Sequence, residues 1–233
     1  VLYLIPLPLT DESSANPLLV PQAREIVATT DYYLVENIRT ARRFISSLKT
    51  GRVIEQLQFF ELNKQTCLQQ VADYFKQIPP EAAVGVMSEA GCPGVADPGH
   101  LAVQYAHRVG MKVVPLVGPS SILLALMGSG FNGQSFAFHG YLPIQKQDKI
   151  KALKHLEKEA ARGQTQIFIE TPYRNDVLVN DMLAHLQPHT QLCIAAHLTA
   201  PDAFVKTRKI ADWQKNKPAL SRVPAVFLLG ASW

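Results

Sequence analysis

The chain has 233 residues, 47% of them apolar and 18% charged, with a net charge of +4. That balance provides for a packed core and excludes a disordered chain, and no apolar run reaches the roughly 18 residues that a membrane-crossing helix needs. Three well-separated cysteines, Cys67, Cys92 and Cys193, argue against a disulfide framework and a structural zinc site, and they point to a reducing, cytoplasmic setting.

The charge is uneven. Residues 1–117 hold 10 Lys and Arg against 11 Asp and Glu, whereas residues 118–233 hold 13 against 8. The basic excess of the second half can attract phosphate, although each cluster is equally accounted for as a solvated helix face.

In chain order, residues 1–7 read as a buried strand. The N-terminal stretch carries prolines and no basic region, so it reads as a strand with its exit loop rather than a signal peptide. Residues 20–28 read as a helix, 32–36 as a strand and 37–49 as a helix with Arg39, Arg42 and Arg43 near its start. A strand at 58–62 and a helix at 64–77 follow, the latter stopped by Pro79-Pro80. Residues 82–88 are a strand, 98–109 a helix, 112–117 a strand and 120–127 an apolar helix. Strands alternating with helices imply a parallel sheet with crossover helices.

That pattern breaks at the glycine-rich residues 128–133, which suit a linker. Beyond it come a strand at 135–140, a basic helix at 146–162, a strand at 166–170 and a helix at 174–186. Three further strands at 191–197, 204–209 and 224–230 have little helix between them. The fold class is therefore α/β with two domains, 1–130 built on a parallel sheet and 131–233 on a smaller mixed sheet.

Two loops carry the strongest local signals. Ser88-Glu89-Ala90-Gly91-Cys92-Pro93-Gly94-Val95-Ala96-Asp97-Pro98-Gly99 follows a buried strand and precedes a helix. Glycines there let backbone approach a ligand, and the C-terminal ends of parallel strands are where open α/β sheets bind ligands. Asp97 before Pro98 is placed to cap the next helix, which explains that pair without a ligand but leaves Gly91, Pro93 and Gly94 unexplained. Val117-Gly118-Pro119-Ser120-Ser121 also joins strand to helix, with hydroxyl and N–H groups at the helix start. A serine helix cap accounts for this loop taken alone. Two such loops after parallel strands favour one shared ligand site.

Other chemistries lack their motifs. No G-x-G-x-x-G follows the first strand, and there is no phosphate-binding G-x-x-x-x-G-K-[ST], no G-x-S-x-G elbow and no metal spacing among the seven histidines. His139 and His197 lie at strand ends and read as structural or surface histidines.

These segments, in this order, resemble the tetrapyrrole methylase superfamily, and within it the branch that 2′-O-methylates a cytidine ribose in small-subunit ribosomal RNA. The family's Ser-Asp-Ala-Gly-Thr-Pro-Gly-Ile-Ser-Asp-Pro-Gly is similar to residues 88–99, and its Pro-Gly-Pro-Ser-Ala to residues 117–121. Its Gly-Phe-Leu-Pro is similar to Gly140-Tyr141-Leu142-Pro143, its Tyr-Glu-Ser-Pro-His-Arg to Ile169-Glu170-Thr171-Pro172-Tyr173-Arg174, and its final strand to Val223-Pro224-Ala225-Val226.

The resemblance implies S-adenosylmethionine as cofactor, no metal, a homodimer, and a cofactor cleft between the two domains. It places Ala90, Gly91 and Cys92 against the cofactor by backbone, with Ser88, Gly94, Val117 and Pro8 around it and Ser120 and Ser121 at its polar end. It adds Glu170, Thr171, Leu198, Pro224 and Ala225 from the second domain.

The departures lie elsewhere. The family's Pro-Thr-Pro-Ile-Gly-Asn-Leu reads Pro6-Leu7-Pro8-Leu9-Thr10-Asp11-Glu12. Its Glu-Asp-Thr-Arg reads Glu36-Asn37-Ile38-Arg39, and its Arg-Glu-Leu-Thr-Lys reads Ala196-His197-Leu198-Thr199-Ala200. These segments are expected near the acceptor. Glu36 is the expected base and Arg39 the expected group for positioning phosphate or acceptor, with plain surface pairing of Glu36 to a helix-start arginine as the alternative. The expected partner is rRNA or a ribosomal subunit, met by Lys146, Lys149, Lys151, Lys154 and Lys158. A small acceptor such as a tetrapyrrole, and a non-catalytic cofactor-binding homologue, are the rival readings.

Overall fold

A computed structural model describes residues 1–10 and 21–231. Asp11 and Glu12 of the altered first loop, and the first residue of the helix expected at 20–28, lie outside the described residues. Contacts divide the chain into two units, Val1–Ser120 and Ser121–Trp233.

In the first unit, β1 (Leu2–Leu4), β2 (Tyr32–Val35), β3 (Gln58–Glu61), β4 (Val84–Met87) and β5 (Val113–Pro115) form one sheet in the order β3-β2-β4-β1-β5. Every pairing is parallel. Its helices are α1 (Pro21–Thr29), α2 (Ile38–Ser47), α3 (Leu68–Phe75) and α4 (His100–Arg108). Both faces of the sheet are covered. Ile5, Tyr33, Val35 and Met87 pack with Ala41, Phe44 and Ile45 of α2 on one side. Leu2, Leu34, Val84 and Val86 pack with Val71, Phe75, Ala102 and Ala106 on the other. Burial on both faces is why β4 reads as a continuous apolar run rather than an alternation.

Several boundaries differ from the sequence reading, each for a local reason. β1 ends at Leu4 because Pro6 and Pro8 cannot donate ladder hydrogen bonds. α3 starts four residues late, at Leu68. The Asn63 side chain accepts from the Gln65 N–H at 2.9 Å and holds a turn, and the Gln70 side chain accepts from the Cys67 N–H at 2.8 Å to cap the helix. Asp97 does not cap α4, whose N-cap is Gly99; its carboxylate closes the preceding loop instead.

In the second unit, β6 (Phe136–Tyr141), β7 (Thr165–Ile169), β8 (Gln191–Ala196), β9 (Phe204–Lys209) and β10 (Ala225–Gly230) form a mixed sheet in the order β6-β7-β10-β8-β9. Only β6 and β7 pair in parallel. The helices are α5 (Ser121–Ser129), α6 (Lys146–Ala161), α7 (Asn175–His185) and α8 (Ile210–Lys215), the last of which has no counterpart in the sequence reading. Residues of α6, α7 and α8 bury one face with Phe168, Leu192, Ile194 and Phe227. α5 buries the other with Ile167, Cys193, Ala195, Val226 and Leu228.

α5 accounts for a difference at the expected domain boundary of residue 130. Its Ala125 and Leu126 belong to the core of the second sheet, so it groups with that unit. The glycine-rich stretch after it is not a loose linker. A Cβ on Gly128 would lie 2.9 Å from Val205 Cγ1, and the Thr207 hydroxyl donates to the Ser129 carbonyl at 2.6 Å.

Candidate active site

The C-terminal ends of β1, β4 and β5 carry three loops that lock together. Leu7 and Gly91 form an antiparallel bridge, with N–H···O distances of 2.9 and 3.1 Å. Gly91 has φ +71°, and a Cβ there would lie 3.2 Å from Leu9 Cδ2 and 3.4 Å from the Pro119 carbonyl oxygen. A Cβ on Gly118 would lie 2.1 Å from Pro6 Cγ, so only glycine lets the β1 and β5 loops approach this closely.

Inside the β4 loop, the Ser88 hydroxyl donates to the Ala90 carbonyl at 3.0 Å. The Asp97 carboxylate accepts from the Gly94 N–H at 2.9 Å and the Gly99 N–H at 2.7 Å. Burial pushes the Asp97 carboxyl above the usual range, and these backbone donors oppose the rise. Cys92 contacts the Pro119 carbonyl at 3.4 Å and is held above the ordinary thiol range by burial first and the Asp97 charge second.

Glu36 is tied to this loop. Its carboxylate accepts from the Glu89 N–H at 3.0 Å, while Asn37 donates to Glu89 Oε1 at 2.9 Å and caps α2 by accepting from the Thr40 N–H at 3.1 Å. Burial raises the Glu36 carboxyl, aided by Asp97 and Glu89 and opposed by the Glu89 N–H and by Lys64. A pocket of about 320 Å³ is lined by Leu7, Pro8, Thr10, Thr40, Arg43, Phe44, Ser47 and Glu89. Arg39 is exposed on the first turn of α2. The first unit thus gathers Pro8, Glu36, Ser88, Ala90, Gly91, Cys92, Gly94, Val117 and Ser120 around one end of its sheet, while Ser121 opens α5 in the second unit.

The second unit gathers its candidates at one end of its sheet. The ends of β7 and β8 flank the start of β10, with Ile169 opposite Val226 and Ala196 opposite Ala225. Glu170, Thr171, Leu198, Pro224 and Ala225 therefore lie close together. The Glu170 carboxylate is buried and engaged, accepting from Arg174 at 2.6 and 3.0 Å and from the Thr171 N–H at 2.7 Å. The same end holds what sequence reasoning missed. His197 Nδ1 lies 2.8 Å from the Asp202 carboxylate, and His197 and Thr199 both have positive φ, +51° and +74°. The buried Thr199 hydroxyl has no partner among the described residues. Only a His-x-x-x-x-Asp spacing hinted at this pair. His139, in contrast, is engaged by the Gln166 side chain at 2.7 Å, in line with its structural reading.

The basic helix needs a correction. Lys149 is buried and pairs with Asp181 of α7 at 2.8 Å, so it does not belong to a surface that meets RNA. Lys146, Lys151, Lys154 and Lys158 are exposed. Glu157 of the same helix accepts from the Gln187 N–H at 2.7 Å and from the Thr190 hydroxyl. Among the described residues, no group of three or more His, Cys, Asp or Glu is arranged to hold a metal, and no helix is long and apolar enough to cross a membrane.

No family model matches the chain. The solved structure of the methyltransferase CobJ superposes with a TM-score of 0.64, covering 99% of this chain and 93% of that one at 16% identity. The ribosomal RNA small subunit methyltransferase I of Vibrio cholerae is 28% identical over 91% of this chain and 69% of its own length. The chain thus has the fold of CobJ and is similar in sequence to a ribosomal RNA small subunit methyltransferase. The same-named protein of Buchnera aphidicola from Acyrthosiphon pisum is 24% identical over 93% of this chain and 73% of its own length. A uroporphyrin-III C-methyl transferase from Thermus thermophilus, solved with S-adenosyl homocysteine, superposes with a TM-score of 0.57 at 18% identity, covering 98% of this chain and 96% of that one. Such structural likeness carries the fold, whereas the sequence relatives carry the reading of function that follows.

Proposed function

We propose that this protein is an S-adenosylmethionine-dependent methyltransferase that methylates a ribose 2′-hydroxyl of small-subunit rRNA. The observation that carries the reading is the interlocked trio of loops around Gly91, in a chain aligned with rRNA small-subunit methyltransferases over 91% of its length. The cofactor supplies an electrophilic methyl on a sulfonium. The residues of the first unit fit it: glycine at φ +71° lets the β4 loop close against Leu9 and the Pro119 carbonyl, so that the loops meet at the strand ends where α/β sheets bind ligands. Glu170, Thr171, Leu198, Pro224 and Ala225 are proposed to contribute further contacts, largely by backbone, because the Glu170 carboxylate is already committed to Arg174.

In-line displacement requires the reacting oxygen within about 3 to 3.5 Å of the methyl carbon, so much of the rate comes from positioning. The chain supplies that by rigid loops: paired backbone at Leu7 and Gly91, and the Asp97 carboxylate fixing Gly94 and Gly99. Arg39, Arg43 and the exposed lysines of α6 are proposed to hold phosphates. We further propose that the protein acts as a homodimer on ribosomal subunits in the cytoplasm.

The test is incubation with methyl-labelled cofactor and small ribosomal subunits, followed by digestion of the rRNA to nucleosides. A labelled 2′-O-methyl nucleoside is expected. Label in a tetrapyrrole but not in RNA would replace this reading with the small-acceptor one, and cofactor binding without turnover on either would leave a non-catalytic homologue.

A further inference from the structure

The β8–β9 loop contains two left-handed residues close together. His197 directly follows β8 and has φ +51°, and two residues later the β-branched Thr199 has φ +74°. Left-handed backbone is uncommon for side chains with a Cβ and is strained for a branched one, and such strain concentrates where a site has to aim its groups. The loop is held in that shape by its backbone. The His197 N–H donates to the Pro224 carbonyl at 2.9 Å, the Ala200 N–H to the His197 carbonyl at 2.9 Å, and the Ala203 N–H to the Ala200 carbonyl at 3.0 Å. The imidazole therefore sits at the end of the sheet that carries Leu198, Pro224 and Ala225.

The imidazole is also oriented. Nδ1 faces the Asp202 carboxylate at 2.8 Å, and this hydrogen bond holds the Asp202 carboxyl below its usual range, so it is ionised at neutral pH. A carboxylate accepts only, so Nδ1 carries the hydrogen, and in the uncharged form of the ring Nε2 is the nitrogen with the lone pair. The His197 side chain is 32% exposed, which leaves the ring within reach of a ligand. Among the described residues, Asp202 is the acidic group within ion-pair distance of the ring.

We propose that His197, oriented by Asp202, is the general base of the methyl transfer, taking the proton of the acceptor hydroxyl. The inference rests on the methyltransferase reading above. The acceptor O–H proton passes to Nε2, and the oxygen lone pair forms the new O–CH₃ bond as the carbon–sulfur bond breaks with its electron pair left on sulfur. The imidazolium then returns its proton to water. Asp202 touches no reacting atom; it is a positioning residue that stabilises the charge forming on the ring. Glu36, the base expected from sequence, is thereby left to the task it already performs, binding the Glu89 N–H.

The test uses the full chain in two arms. Nitrogen NMR of the free protein is expected to show the uncharged ring of His197 as the Nδ1–H tautomer, with that preference weakened in Asp202→Asn. In the second arm, His197→Gln is expected to lower single-turnover methyl transfer to ribosomal subunits by roughly 10²- to 10⁴-fold. It should abolish the acidic limb of the wild-type pH–rate profile and leave cofactor affinity within threefold (about 0.7 kcal/mol). Asp202→Asn should give a smaller loss with the limb displaced. A His197→Gln enzyme with wild-type rate and pH profile overturns the base assignment alone. A variant that loses cofactor affinity in proportion to rate overturns it too, because the ring would then serve binding. If wild type transfers no methyl to any acceptor, the functional reading falls and takes the base with it.

Discussion

Leu7 and Gly91 exchange a pair of backbone hydrogen bonds although one follows β1 and the other β4. The bridge makes two loops into one surface, and Gly91 reaches it only with left-handed backbone. Gly91→Val is therefore expected to strain the fold by about 1–3 kcal/mol. It should weaken S-adenosylmethionine binding by about tenfold or more, a loss of at least roughly 1.4 kcal/mol. Calorimetry on a variant shown to be folded by circular dichroism decides it. Wild-type affinity in such a variant would remove this loop from the site.

Cys92 stands where the resembled family has Thr, and its sulfur faces the Gly118 and Pro119 carbonyls. With the thiol held above its ordinary range by burial, it stays protonated at neutral pH and should resist alkylation there. Cys92→Thr should keep cofactor binding and turnover, since a hydroxyl can donate to the same carbonyls. Loss of turnover with cofactor binding intact would reveal a covalent role.

Changing Lys151, Lys154 and Lys158 together to Gln should leave cofactor affinity unchanged and weaken RNA binding. The slope of log K against log salt should flatten by roughly 0.7 to 0.9 for each phosphate that is no longer neutralised. Part of the effect is set by neighbours, because Lys151 lies 3.8 Å from Asp148. An unchanged affinity and slope would make this face of α6 an ordinary solvated surface.

The Lys149–Asp181 pair is more than nine-tenths buried on both sides. Removing one partner strands the other charge, so Lys149→Met or Asp181→Leu alone should each cost about 3–5 kcal/mol in urea unfolding. The double substitution should recover most of that loss, because two apolar side chains need no counter-charge. Single variants as stable as wild type would show that the pair is solvated.

The elements legible in the sequence were those whose burial is uniform. The apolar runs of β4, β8 and β10, covered on both faces, stand out without knowledge of their partners. What stayed hidden depended on contacts distant in sequence. α5 reads as the last helix of the first half until its Ala125 and Leu126 are seen against Cys193 and Val226. Lys149 reads as one more surface lysine because its spacing carries no trace of Asp181, 32 residues on. α8 is only six residues long and too short to show a helical period, although Trp213 anchors it by donating to the Leu192 carbonyl at 2.9 Å. At the candidate site, the glycine loops were visible as motifs. The His197–Asp202 pair was not, because only the turn after β8 brings the two side chains together.

The place of β10 in its sheet bears on how the protein is made. It is the final strand of the described chain, yet it lies in the interior, hydrogen-bonded to β7 on one side and β8 on the other. All five strands of the first unit are complete by Pro115, so that unit can fold while the ribosome is still translating the second. Until β10 emerges from the exit tunnel, β7 and β8 each present an apolar strand with an open edge to every nascent chain nearby. Between the synthesis of β8 and that of β10 these edges have no partner, and a truncation before Ala225 is expected to aggregate.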